Sequence, residues 1–445
     1  MAPERKKLIG NIAFILLIGI SLLACFYPVV HPESNGKDFN SGDIAWMLTA
    51  SAMVLIMTPG LSFFYGGMVR PKNILSTMLQ SFMALGIISF IWYVVGFSLA
   101  FGDDIGGVIG NPATYFMMNH VGTAVHPVMS PTVPFILFAA FQMKFAIITP
   151  ALITGSFAER VRFWGYIVFM CLFSIFIYCP IAHWTWHPDG FLHKWGILDF
   201  AGGTVVHISA GVAALAGAMF MGKRKDHRAH FNSPNIPYVL LGTGLLWFGW
   251  FGFNAGSALS ANPQAVLAFV NTNLASASAM VTWVLFEVVK GNKPSAMGAC
   301  IGAVVGLVAI TPAAGFVDYG PALFIGVLAS IVSNWAVHLK TKSEIDDTLD
   351  VFPCHGVGGI VGMIATGAFA KGVGLTSGHT TTFLYHLLGL VIVVVFTFAG
   401  SMFMYWITNK ITPLRVSTTD EEAGLDLSQH GESVYEEEVE PAFQL

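Results

Sequence analysis

This chain of 445 residues has little charge. Only 10% of it is Asp, Glu, Lys or Arg and 55% is hydrophobic, where ordinary globular proteins carry about a quarter charged residues. A soluble enzyme is excluded. It also lacks any CxxC pair, and its five cysteines (Cys25, Cys171, Cys179, Cys300, Cys354) are scattered, mostly inside apolar runs. That spacing excludes a disulfide framework and makes most of them small core residues. There is no HExxH and no CxxCH, so neither a metalloprotease nor a c-type haem protein is supported. No basic face exists to hold nucleic acid. No cofactor, metal or enzymatic activity is expected.

What fills the chain instead is a succession of uncharged apolar runs of about membrane-crossing length. They lie near 8–28, 43–65, 74–101, 132–157, 163–182, 199–221, 236–257, 264–289, 295–316, 320–339, 351–370 and 382–408. The expected fold is an all-α polytopic membrane protein of eleven transmembrane helices, preceded by an N-terminal segment. Seventeen of the 21 basic residues fall at the N-terminus, in alternate loops or after the last run. The positive-inside rule makes those loops and the C-terminus cytoplasmic and the site of residence the inner (cytoplasmic) membrane. The opposite side holds Lys37, Lys194 and Lys371, and Lys144 falls inside a run. Residues 1–28 read as a signal peptide or an anchor helix: Arg5-Lys6-Lys7, an apolar stretch, then Leu22-Leu23-Ala24-Cys25, which looks like a lipoprotein cleavage site. Residues 43–410 form the membrane domain. Residues 411–445 carry nine acidic residues against one basic, so this tail is −8 and the rest +4.

An internal repeat is expected to organise the membrane domain. The fifth of the eleven spans opens Asp199-Phe-Ala-Gly-Gly-Thr-Val-Val-His207 and the tenth opens Asp350-Val-Phe-Pro-Cys-His355. Loop charges run these spans in opposite directions, which predicts two inverted five-helix repeats plus one extra helix, with a translocation path between the halves. Glycines after each histidine permit close helix approach. His207 and His355, intramembrane and repeat-matched, are expected to meet and share a ring N–H···N hydrogen bond. Asp199 reads first as a cap for its helix and second as electrostatic support for a cation; Asp350 has the same reading. Aromatic residues gather where a mouth should be: Trp184, Trp186, Phe141, Phe145, Trp250 and Phe253, the last in Trp250-Phe-Gly-Phe-Asn-Ala-Gly-Ser257. Aromatic faces attract cations.

These runs, with Phe64-Tyr-Gly-Gly-Met-Val-Arg70, Phe141-Gln-Met-Lys-Phe-Ala-Ile-Ile-Thr149, Ala158-Glu-Arg160 and Gly424-Leu-Asp-Leu-Ser-Gln-His-Gly431, resemble those of the Amt/Mep/Rh ammonium transporter family, in its Amt branch. The resemblance covers roughly residues 43 to 432. It implies that His207 and His355 line the pore, that Phe145 and Phe253 form a stacked phenyl gate, and that Trp186, Phe145 and Ser257 recruit ammonium from outside. Asp199 matches the aspartate of the family's Asp-Phe-Ala-Gly-Gly run. One extra residue between Trp186 and Asp199 leaves Trp184 as a rival for the tryptophan role. Lys144, next to Phe145, is expected to point away from the pore, and Tyr65 to line its inner part.

The implied function is ammonium uptake: NH4+ is recruited at the aromatic site, deprotonated, and passed as NH3, with or without a relayed proton. The resemblance further implies a homotrimer and a PII signal protein on the cytoplasmic face, with the Gly424–Gly431 segment folded against a neighbouring subunit. The alternatives are an ammonium sensor and a neutral gas channel for NH3 or CO2. The 35-residue tail holds no signalling domain, which speaks against the sensor.

Overall fold

In a lipid bilayer no water satisfies exposed backbone groups, so a chain of this composition must pair them within helices. The computed structural model describes residues 3–34, 39–225 and 235–434. Lys37, Arg228, Glu436, Glu437, Glu438 and Glu440, used above in reading the charge pattern, lie outside the described residues. Helix α1 (Pro3–Phe26) is followed by α2 (Ser41–Gly66), α3 (Pro71–Phe101), α4 (Phe135–Phe157), α5 (Phe163–Lys194), α6 (Gly203–Met221), α7 (Ile236–Gly256), α8 (Pro263–Val289), α9 (Ala296–Ile310), α10 (Tyr319–Lys342), α11 (Phe352–Phe369) and α12 (Thr380–Ile411). Ten of these, all but α1 and α9, are among the described residues long and apolar enough to cross a membrane. The chain is a multi-pass helical membrane protein.

Local chemistry explains where several helices begin. Asn40 accepts from the amides of Gly42 and Asp43 at the start of α2, Asn235 from Tyr238 at α7, Asn262 from Ala265 at α8, and Ser295 from Gly298 at α9. Each satisfies donors that the first turn leaves free. Helices α4, α5, α6 and α11 are mostly buried, while α2, α3, α7, α8, α10 and α12 present apolar residues such as Leu55, Phe248, Leu285 and Val395 outward.

The buried helices meet at glycines. A Cβ added to Gly211 of α6 would fall 2.1 Å from the amide nitrogen of Gly356, in α11. A Cβ on Gly359 would lie 3.2 Å from the Cβ of His207. Backbones can therefore touch at this crossing, and only glycine permits it.

On the face that carries the basic loops, buried charges tie four connections together. Glu159 accepts from the amide of Arg70 at 2.7 Å and from Arg224 Nη1 at 2.7 Å. Arg224 in turn forks onto Asp346, at 2.9 and 3.0 Å. Burial works to raise Asp346, but the Arg224 guanidinium overrides it and holds the carboxyl down at about 2. Arg160, fully buried, donates to Thr348 Oγ1 at 2.8 Å and to carbonyl oxygens of Ser156 and Asp346. Removing one member would strand a buried charge, the costly case for such networks.

The tail folds over this cluster. Glu421 accepts from the Lys225 amide at 2.7 Å and from Arg415 Nη2 at 2.9 Å. Asp426 accepts from the amides of Leu75 and Ser76, at 3.0 and 2.7 Å, near the start of α3, and Asn73 Oδ1 accepts from the Leu425 amide at 2.8 Å. Within the single chain described, these contacts are to the chain's own loops. The sequence could not reveal this, since Gly424–Gly431 marks an ordered segment without marking whose loops it meets.

Replacing Asp426 with alanine leaves two first-turn amides without their cap, a loss of about 1–2 kcal/mol. Protease cleavage after Arg415 in detergent-solubilised protein should then speed up about tenfold, with the helices themselves untouched. Unchanged cleavage would mean that Asp426 does not hold the tail down.

Candidate functional site

His207 and His355 each sit in a wide, π-helical turn at the start of a buried helix, Gly203–Ile208 and Phe352–Val357. Such turns turn a side chain away from the register a regular helix would give it, and they recur at functional sites. The Gly211–Gly356 contact lies one turn beyond His207 and one residue beyond His355. The two rings come together with their Nδ1 atoms 3.4 Å apart, as their matched positions predict.

The hydrogens along this pair follow from the neighbours. Thr311 donates its one hydroxyl proton to the carbonyl of Leu307, one turn back, at 2.8 Å. Its oxygen accepts from Trp250 Nε1 at 2.9 Å and lies 3.3 Å from His207 Nε2. A neutral His207 that donates from Nε2 accepts at Nδ1, so His355 donates from its own Nδ1. In that arrangement the Nε2 of His355 carries a lone pair.

A ladder of rings stands above the pair on the side opposite the basic loops. Trp250 stacks on His207 with centroids 5.3 Å apart, and Phe253 lies 6.0 Å from the same ring. Phe253 and Phe145 stack at 4.2 Å, and Trp186 meets Phe145 edge-on at 5.7 Å. Beyond Phe145 opens a cavity of about 350 Å³, whose wall includes Phe145, Trp186, Ser257 and Gln142. Ser257 donates to the Phe253 carbonyl at 2.8 Å, which leaves its oxygen free to accept. Below the phenyl stack, the space between His207, His355, Trp250 and Phe253 measures about 10 Å³, enough for about one small molecule.

Trp186, not its rival Trp184, reaches this cavity. The indole of Trp186 donates to the Asp199 carbonyl at 3.1 Å, whereas Trp184 donates to Val108 and packs between Phe191 and Phe396. Lys144 is half-buried and absent from the cavity wall. Tyr65 donates to the Leu152 carbonyl at 2.9 Å and lines a smaller space beneath His355.

Asp199 is a cap. Its carboxylate accepts from the amides of Gly202, Gly203 and Thr204 at 2.6–2.8 Å and from the Thr204 hydroxyl. It has no acceptor capacity to spare for a ligand. For the second helix the same expectation named Asp350, and here the structure corrects it. Asp350 is paired with Lys340 at 2.8 Å, in a left-handed backbone conformation at φ +56°. The cap is Asp347, which accepts from Val351 and Phe352 amides at 3.1 and 2.8 Å. Asp347 precedes His355 by eight residues, the interval that separates Asp199 from His207. That interval was the available signal, and the shorter Asp350 match obscured it. Thr311 was not singled out at all, because a threonine at the end of an apolar run carries no mark of its partners.

The Ammonium Transporter Family model matches residues 45–435. An ammonium transporter of Aquifex aeolicus is 46% identical over 426 residues, covering 94% of this chain and 98% of that protein. Among solved structures, Saccharomyces cerevisiae Mep2 superposes with a TM-score of 0.83 at 37% identity, covering 91% of this chain and 93% of that one. A sensor Amt protein superposes at 0.81 with 31% identity, over 87% and 98%.

Burial, with the nearby Asp350 carboxylate, pushes Asp347 up from 3.8 to about 6, against the pull of Lys340. As pH rises through that window the unfolded chain releases this proton before the folded one does, so Asp347 makes stability fall between about pH 4 and pH 6. In Asp347→Asn that component should vanish. Thermal unfolding in detergent across pH 4–7 checks it; an identical slope in wild type and variant would assign the effect elsewhere.

Proposed function

The chain belongs to the ammonium transporter family, and from that premise we propose that it takes up ammonium across the cytoplasmic membrane. It is a membrane transport protein and not an enzyme. The observation that carries the mechanism is the order of groups along one line: an open cavity with Trp186, Phe145 and Ser257, a closed phenyl stack, then two facing imidazoles in an apolar space.

Ammonium is an amine-type acid, charged at neutral pH, and a bare charge in an apolar passage costs many kcal/mol. Recruitment and passage must therefore be separate steps. In the outer cavity the ring faces of Phe145 and Trp186 attract the cation by cation–π contact, about 0.5–2 kcal/mol each, and the Ser257 oxygen accepts one N–H. A sodium ion has no N–H to offer and loses more hydration. At the Phe145–Phe253 stack there is no acceptor to replace water, so the cation gives up a proton to water in the outer cavity and NH3 moves on. His207 and His355 then hydrogen-bond the neutral molecule, with or without relaying the proton.

The architecture suited to this is eleven crossings, the ten long spans plus the shorter α9, as two inverted five-helix repeats and one extra helix. The matched Asp199–His207 and Asp347–His355 intervals, each ending in a capped wide turn, support it. Basic loops set their face and the C-terminus in the cytoplasm. Outward apolar faces suit a homotrimer within lipid, and the docked tail offers a surface for a PII signal protein. The N-terminal segment 1–28 serves as a signal peptide or anchor. The sensor reading has the likeness to a sensor Amt protein in its favour, but the higher identity to a transporter outweighs it.

Purified protein in liposomes on a solid-supported membrane, given an ammonium jump, should produce a transient current, and His207→Ala should lower it by at least tenfold. No current, with ammonia entry still seen by an internal pH dye, would make the protein a neutral gas channel. Neither signal from a folded assembly would overturn transport and favour the sensor.

A further inference from the structure

Beneath His355, toward the cytoplasmic mouth, lies a second small space of about 10 Å³, lined among others by Tyr65, Met68, Leu349, Cys354 and His355. It holds about one small molecule or ion. Met68 follows the end of α2 and Leu349 precedes α11 in the basic-face loop, so this is the inner end of the passage. Three soft donors line it together: a thioether, a thiol and an imidazole. The imidazole is 97% buried, with 3% of its surface exposed. Its Nδ1 is turned to His207 at 3.4 Å, which leaves Nε2 as the ring nitrogen not engaged by the histidine pair. The Cys354 thiol is 7% exposed and is not bridged to another cysteine. No carboxylate lines the space, so hard cations such as Na⁺ or Mg²⁺ find no charged oxygens to replace their hydration.

We propose that Cys354, His355 and Met68 form a binding site for one soft monovalent cation, Ag⁺ or Cu⁺, which plugs the passage from its cytoplasmic end. Thiolate and thioether sulfur with imidazole nitrogen is a donor set selective for such ions. Binding breaks the Cys354 S–H bond, forms an S–metal bond and releases the proton to solvent. The thiolate and the monovalent cation then sum to zero charge, which an apolar space tolerates where either alone would be costly. Plugging rests on the transport reading above; binding does not.

The test uses full-length protein and silver nitrate in chloride-free buffer, with the metal equilibrated on both sides of the liposome. Silver retained per chain after desalting is measured by mass spectrometry, and the ammonium-jump signal is recorded in parallel. Cys354→Ala, which keeps the other four cysteines, should retain one silver fewer than wild type. It should also keep its ammonium signal at a silver concentration that lowers the wild-type signal at least tenfold. Met68→Leu should raise the half-inhibiting concentration about tenfold, and Cys354→Ser serves as a second variant of nearly unchanged volume should the alanine protein fold poorly. Equal silver content in wild type and the Cys354 variants would overturn the site. One silver fewer with undiminished inhibition would overturn the plug. A wild type with no ammonium signal even without silver would count against the transport reading alone, since the silver difference still decides the site.

Discussion

Two helix backbones touching at Gly211 and Gly356 is the constraint on which the rest of this molecule depends. The contact brings the starts of two buried helices within side-chain reach, and each start carries a histidine. Any side chain at Gly211 would have to displace a backbone atom 2.1 Å away, which only separation of the helices could relieve. Close approach is thus what converts two isolated polar residues, each expensive in an apolar interior, into a mutually satisfied pair.

The supports around the pair are electrostatic and lie outside the apolar layer. Asp199 and Asp347 each gather the free amides at the head of one helix, eight residues before its histidine. The cost of burying these carboxylates is borne at opposite ends of the fold, so the interior between them needs no charge. On the basic face the Glu159–Arg224–Asp346 network then fixes the loops from which Asp347 projects. The tail closes over the same loops through Glu421 and Asp426.

Much of this could be read from the chain alone, because the bilayer leaves few options. Most apolar runs became helices near their expected limits, though the run at 163–182 continues to Lys194 and that at 295–316 ends at Ile310, and the matched histidines came together. What escaped were relations fixed by three-dimensional register. Asp350 resembles Asp199 in its neighbours, but the wide turn before His355 sets the cap eight residues back, at Asp347. Thr311 matters only because its hydroxyl proton is already spent on Leu307. Asp199 begins an apolar run by composition, yet the helix starts only at Gly203, where its carboxylate has gathered enough amides to start it.

The direction of the hydrogens around Thr311 has one more consequence. With the Nε2 hydrogen of His207 on Thr311, the donors from His355 through His207 to Thr311 and Leu307 all point the same way. Such a wire is a rectifier: it has a vacant lone pair at one terminus only, the inner one. A proton admitted there shifts the hydrogens only as far as the Leu307 carbonyl, which has none to pass on, and one arriving from the outer side meets N–H bonds and no vacancy. Inward relay would require both imidazoles to exchange which nitrogen bears the hydrogen before each passage. In this resting state the pair receives a neutral, proton-sharing guest, and any proton relayed with it requires the wire to be rewound at each turnover.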